Sequence, residues 1–176
     1  LKRVEQSLLE NKNDYARAQE VGEIGSWRMD TRKNILTWSD ENYRIFGLPI
    51  GIPLNYQTFL SLIHPDDRAF VETQWKEGLS GAPYDIEHRI MVDGRIKWVR
   101  EKAYLEFDNH HALTGGFGIT QDITKRKNAE QALSKSEALY RSIGESIDYG
   151  VWVCTPDGRN TYASESFLKM VGITQE

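Results

Sequence analysis

The sequence predicts an α+β fold, an antiparallel sheet with helices packed on one face, and three observations predict it. Two alternating stretches, Tyr84 to Val92 and Arg95 to Glu106, flank Asp93-Gly94, a dipeptide suited to a two-residue hairpin turn. Two shorter alternating runs, Ile24 to Met29 and Ile35 to Ser39, flank the polar turn Asp30 to Asn34, and segments of helical spacing separate this pair from the later hairpin. A last strand ends at Asp122-Ile123-Thr124 and passes directly into a charged helix, with no Gly or Pro from Thr120 to Ser142.

Taken in order, residues 1–21 place Leu1, Val4, Leu8, Asn11, Tyr15 and Ala18 at steps of three and four. That is the seam of a short coiled coil, or else the inner face of an amphipathic helix lying on its own domain. Gly22 and Gly25 break this helix before the first strand pair, and Asp40 opens a short helix that ends near Gly47. Beyond the loop Pro49 to Pro53, the residues Tyr56, Phe59, Leu60 and Ile63 recur at helical spacing. Pro65 suits a first helical position, and Asp66 and Asp67 suit the positive end of the helix dipole. Phe70, Val71, Gln74 and Trp75 continue that helix until Gly78 and Gly81. After the hairpin and the turn Asp108 to Ala112 comes the closing strand. Its alternation sets Gly115, Phe117, Ile119 and Ile123 on an inner face and Thr114, Thr120 and Asp122 on the other.

Gly118 to Thr124 reads Gly-x-x-x-Asp-Ile-Thr and precedes a Lys/Arg-rich helix; TWSDENYRIFGL (37–48), LIHPDDR (62–68) and IEHRIMVDGRIKWVR (86–100) precede it in the chain. Together these segments resemble a PAS domain of the PAS/PAC sensor-box type found in bacterial signal-transduction proteins, over roughly residues 22–124. The resemblance implies a five-stranded sheet of order 2-1-5-4-3 and a small-molecule cavity between sheet and helices. It also implies transmission of a signal through Asp122, Ile123 and Thr124 into the helix that follows.

The chain repeats itself. A shift of 125 residues aligns Lys2, Tyr15, Gly25, Trp27, Ser39 and Gly47 with Lys127, Tyr140, Gly150, Trp152, Ser164 and Gly172. The expected organisation is a coiled-coil-like helix (1–21), a sensor domain (22–124), a helical linker (125–146) and the incomplete start of a second such domain (147–176). Leu1 in place of a start methionine and a pattern still running at Glu176 lead us to expect a longer protein. The linker carries Ala129, Leu133, Ser136, Tyr140 and Ile143 at coiled-coil spacing, so a homodimer through helices 1–21 and 125–146 is expected.

With 39% hydrophobic and 11% aromatic residues the chain has material for a packed core. Its net charge of -4 and the lack of a long basic block argue against a nucleic-acid surface. No apolar run approaches the ~20 residues of a membrane span, and the single cysteine, Cys154, fits a reducing, cytoplasmic compartment.

Side chains able to line the cavity are Trp27, Trp38, Tyr43, Phe46, Phe59, Ile63, Phe70, Trp75, Ile86, His88, Ile90, Trp98 and Phe117. So many aromatics either fill the space completely or wall a ligand; if a cofactor is held, flavin is the first choice and haem the second. His88, in apolar company, reads as a core histidine before a haem ligand. His64, Asp66 and Asp67 have the chemistry of a metal site but read better as a helix start, and no metal centre is expected. His110 and His111 lie in a solvated turn. Gly158-Arg159-Asn160-Thr161 has threonine where the light-sensing branch of the family has its reactive cysteine, and Cys154 is expected to be buried and inert. Nothing forms a nucleophile pair or a phosphate-cradling loop, so the expected role is a non-catalytic sensory and dimerisation module. An output domain of histidine-kinase or cyclic-dinucleotide type is expected elsewhere in the protein. A ligand-free interaction module and, further off, an enzyme built on the His64 cluster are the alternatives.

Overall fold

The computed structural model describes residues 2–146 and 150–172. The predicted seam residue Leu1, and residues 147–149 and 173–176 of the expected second unit, lie outside the described residues. The chain divides into two units, residues 1–125 and 126–176.

The first unit begins with helix α1 (Lys2–Gly22), whose residues are exposed almost throughout. Its contact with the sheet is at its end, where Gln19 donates to the Ser26 hydroxyl at 2.9 Å. Strands β1 (Ile24–Asp30) and β2 (Ile35–Trp38) follow, then α2 (Asp40–Phe46), α3 (Tyr56–Leu62), α4 (Arg68–Leu79), β3 (Tyr84–Val92), β4 (Arg95–Phe107) and β5 (Leu113–Asp122). The sheet is antiparallel in the order β2-β1-β5-β4-β3, as the resemblance implies. Asp93 and Gly94 both take positive φ, +49° and +73°, which a two-residue hairpin of this twist requires. The core lies between the sheet and α2 to α4, with Phe46, Ile63, Val71, His88, Ile90 and Val99 the most deeply buried.

Helix starts follow their capping residues. Ser39 accepts from the Asn42 amide and Asn55 from the Thr58 amide at 2.9 Å. The His64-Pro65-Asp66-Asp67 segment forms a tight 3-10 turn ahead of α4, and there the predicted role of Asp67 needs correction. Asp67 makes no capping bond to α4. Its carboxylate accepts from the Arg89 backbone amide at 2.8 Å and from the Arg89 guanidinium, while the His64 amide donates to the Arg89 carbonyl at 2.9 Å. The segment therefore satisfies the free edge of β3, which would otherwise present unpaired backbone groups. Both residues thus have structural partners in place of a metal.

Replacement of Asp67 by alanine is expected to cost about 2 kcal/mol, the magnitude of hydrogen bonds to a charged group at a partly covered site. Hydrogen bonds from Arg89 hold the Asp67 carboxyl below its usual range. Its contribution is therefore complete above the ordinary carboxylate pKa of about 3.9 and disappears as pH falls through the lower folded value. Wild-type and variant melting temperatures should differ at neutral pH and converge in acid. A constant gap down to the acid transition would assign the loss to something other than this carboxylate.

The second unit comprises α5 from Arg126 onward (α5 spans Thr124–Ser146), a hairpin of β6 (Trp152–Cys154) and β7 (Asn160–Ala163), and α6 (Glu165–Val171). It reproduces the helix caps and the start of the strand pair of the first unit, with a register shift between Val153 and Cys154 that β1 and β2 lack. Ser39 caps α2 with φ/ψ of -70°/160° and Ser164 caps α6 with -68°/155°; the C-caps Gly47 and Gly172 have φ of 69° and 68°. The Ser39 hydroxyl accepts from the Ser26 amide at 3.0 Å, and the Ser164 hydroxyl from the Val151 amide at 3.0 Å. Gly25 lets the backbone of Asn42 approach, and Gly150 does the same for Phe167, 125 positions on. Cys154, expected to be buried, is exposed at the end of the short two-stranded hairpin.

Candidate functional site

A chain of aromatic rings runs between sheet and helices. Trp38 meets Tyr43 at 5.5 Å and Phe46 at 4.5 Å between centroids, Phe46 meets Phe59, Tyr56 meets Trp75 at 5.6 Å, and Trp75 meets Tyr84 edge-on at 5.5 Å. These rings leave a cavity of about 30 Å³ lined by Trp27, Met29, Leu36, Trp38, Tyr56, Phe59, Trp75, Tyr84 and Glu101. Trp27, Trp38, Phe59, Tyr84 and Glu101 are buried, whereas Met29, Leu36, Tyr56 and Trp75 are half-buried, so the cavity approaches solvent on the side of the latter four. Burial pushes the Tyr56 phenol up to about 12 and raises that of Tyr84 as well, and the Glu101 carboxylate acts in the same sense on both.

Trp27, Trp38, Phe59 and Trp75 thus line the cavity as the sequence suggests. Tyr43, Phe46, Ile63, Ile86, His88 and Ile90 form the packed layer behind it. Three expected lining residues do not. Phe70 is exposed on α4. Trp98 lies on the opposite sheet face from the buried Val99, with the Arg89 guanidinium 5.8 Å from its ring centroid. Phe117, 39% exposed, also points away from the core. The inner face of β5 is instead Gly116, Gly118 and Thr120, all buried, with the Trp27 ring in the space that a side chain at 118 would need and Leu105 close against 116. A Cβ on Gly118 would stand 2.4 Å from that ring.

Sequence reasoning missed Glu101, which is 2% exposed and accepts from the Thr120 hydroxyl at 3.0 Å. Its signal was present. Val99, Glu101 and Ala103 share one face of an alternating strand, and a carboxylate between two apolar residues there is a buried acid.

The junction expected at Asp122, Ile123 and Thr124 is closely tied. The Asp122 carboxylate accepts from the Thr124 amide at 2.9 Å and pairs with Lys97 at 3.2 Å. Lys97 also donates to the Ile45 carbonyl near the end of α2. Trp98 donates its amide to the Thr124 hydroxyl at 3.0 Å, and the buried Ile123 donates to the Trp98 carbonyl. Lys97 on the neighbouring strand is the base that reaches Asp122, and Lys125 pairs with Glu23, the residue between α1 and β1. The Asp122 amide donates to the Glu23 carbonyl, so the end of α1 and the start of α5 are fastened at one point. Burial would raise the Asp122 carboxyl, but bonds from Thr124 and Lys97 outweigh it and the net shift is downward.

A family model described as the PAS fold matches residues 35–119. The first unit is a PAS domain. A sensory box histidine kinase/response regulator from Burkholderia thailandensis has a solved structure with TM-score 0.62 and 25% identity, covering 73% of this chain and 98% of that one. The probable diguanylate cyclase DgcE of Escherichia coli is 28% identical over 177 residues, all of this chain and 16% of the relative. The blue-light-activated histidine kinase of Brucella abortus is 33% identical over 153 residues, 83% of this chain and 30% of the relative. The chain therefore spans less than a third of the length of either of these curated relatives. Its PAS domain is that of a signalling protein.

The cavity does not fit a flavin or a haem. Pockets for molecules of that size enclose roughly 300–1,000 Å³, against about 30 Å³ here.

Proposed function

We propose that the chain is a non-catalytic sensory and dimerisation module of a cytoplasmic signalling protein. It passes a ligand-dependent or conformational signal from the sheet through Asp122, Ile123 and Thr124 into α5. The observation that carries this reading is the junction itself. Bonds of Asp122, Ile123 and Thr124 to Lys97, Trp98 and Glu23 connect α2, β4, the end of α1 and the start of α5, so a shift in the sheet must move the first turn of the helix or break these bonds. The second unit, a copy of the first unit's opening, would begin another PAS domain, for which α5 is the connector. Homodimerisation through α1 and α5 is supported by Val4, Leu8, Tyr15, Leu133 and Tyr140, apolar or aromatic positions of the seam that stand exposed. The output activity, of histidine-kinase or diguanylate-cyclase type by similarity to the relatives, belongs to other parts of the full-length protein.

Asp122→Ala is expected to speed amide exchange in the first turn of α5 at least tenfold, leave exchange in β3 to β5 unchanged, and disconnect output from stimulus in the full-length protein. Unaltered regulation in that variant would remove the junction from the signalling path.

A second reading, a ligand-free interaction module, is favoured by the outer sheet face. There Tyr104 and Phe117 are direct cross-strand neighbours, with Tyr104 74% exposed.

A further inference from the structure

Six of the nine residues around the cavity are aromatic, two are Met29 and Leu36, and the ninth is Glu101. Ring faces carry negative charge density, so they repel a carboxylate and attract a cation. Glu101 has lost its hydration in this setting and has one neutral donor, the Thr120 hydroxyl on Oε1. Among the described residues, the one basic group recorded within 4 Å of Glu101 is His88, whose Nε2 stands 3.8 Å from Oε2, beyond hydrogen-bond range.

The tautomer of His88 sharpens the point. Its Nδ1 lies 3.3 Å from the Arg89 carbonyl oxygen. A carbonyl only accepts, so Nδ1 carries the proton, and in the neutral ring Nε2 is an acceptor. His88 is fully buried and its Nε2 has no hydrogen-bond partner among the described residues. Behind the aromatic wall, His88 Nε2 and Glu101 Oε2 stand 3.8 Å apart without a hydrogen bond between them.

We infer that this cavity binds a small alkylammonium ion, its N–H groups directed at Glu101 and its charge enclosed by the surrounding ring faces. The inference rests on the sensory reading and names the class of signal. An anion is repelled by Glu101 and by the rings alike. A neutral apolar guest gives Glu101 no counter-charge, whereas an ammonium group supplies the charge and the donors together. The volume of about 30 Å³ suits a head group of roughly water's size. A short alkyl tail is directed toward the half-buried Met29, Leu36, Tyr56 and Trp75.

The test titrates the purified chain with methylammonium, tert-butylammonium, their neutral isosteres methanol and tert-butanol, and acetate, at fixed ionic strength. Binding is read by tryptophan fluorescence, because Trp27, Trp38 and Trp75 line the site, and by calorimetry. One or both ammonium ions should bind saturably, at least tenfold more tightly than the matching alcohol, and acetate should not bind. Glu101→Gln should reduce the ammonium affinity to that of the alcohol. Should that variant fail to fold, Tyr56→Leu at the half-buried side removes a ring face without touching the carboxylate and should weaken ammonium binding severalfold. Equal affinity for ammonium and alcohol would overturn the cation inference and leave an apolar sensor cavity standing. Ammonium binding that survives in both variants would place it elsewhere. Failure of every probe to bind would overturn the inference alone, since the sensory reading stands or falls with the Asp122→Ala variant.

Discussion

Gly118→Ala is expected to destabilise the PAS domain by about 3 kcal/mol, at the upper end of what overpacking a core costs. An added methyl would lie 2.4 Å from two atoms of the Trp27 ring and 2.6 Å from the Lys102 carbonyl oxygen. The ring is wedged against the cavity wall, and the carbonyl belongs to the central β4 strand, so neither yields cheaply. Gly116→Ala meets Leu105 at 3.1 Å and the Tyr104 carbonyl at 3.3 Å, contacts that relax by a few tenths of an ångström, and should cost markedly less. Gly22→Ala, at the end of α1 with its nearest neighbour 3.4 Å away, should be neutral or slightly stabilising. Chemical denaturation of the three variants should rank them in that order. Equal losses at Gly118 and Gly22 would mean that strand or helix propensity, and not the approach of Trp27, sets the cost.

The same glycines show where the sequence was legible and where it was not. Element order, the Asp93-Gly94 hairpin, the helix that opens at Asp40 and ends at Gly47, and the 125-residue repeat are local or periodic signals, and each has its structural counterpart. The facing of β5 went astray because alternation was read from the apolar side chains Phe117 and Ile119. The core side is marked by the positions without side chains, Gly116 and Gly118, and the ring packed against Gly118 comes from β1, some 90 positions earlier in the chain. Trp98 misled in the same way, since an indole was assigned to the core while its neighbour Val99 holds that face. Glu101 was overlooked because an acid reads as a surface residue. Asp67 was taken for a helix cap because its partner, Arg89, is brought near only by the fold. Local chemistry announces elements and turns; pairings across the sheet need the register.

Insertion of a single residue after Ser134 should alter output and self-association more than any other change in the linker. Helix α5 is continuous over 23 residues, on the order of 35 Å, and carries Ala129, Leu133, Ser136, Tyr140 and Ile143 at steps of four and three. One extra residue turns Ser136, Tyr140 and Ile143 by about 100° relative to Ala129 and Leu133, which breaks the seam into two faces. Seven extra residues restore the phase and lengthen the helix by roughly 10 Å. If α5 transmits by pairing with its counterpart in a second copy, the single insertion should abolish regulation in the full-length protein and weaken dimerisation of this chain in light scattering, while the seven-residue insertion largely recovers both. A connector that merely spaces two domains responds to length and not to phase, so it would tolerate one residue better than seven. The junction at Asp122 bears on the distinction, because its ties to Lys97 and Thr124 hold the first residues of α5, before the insertion point, to the sheet.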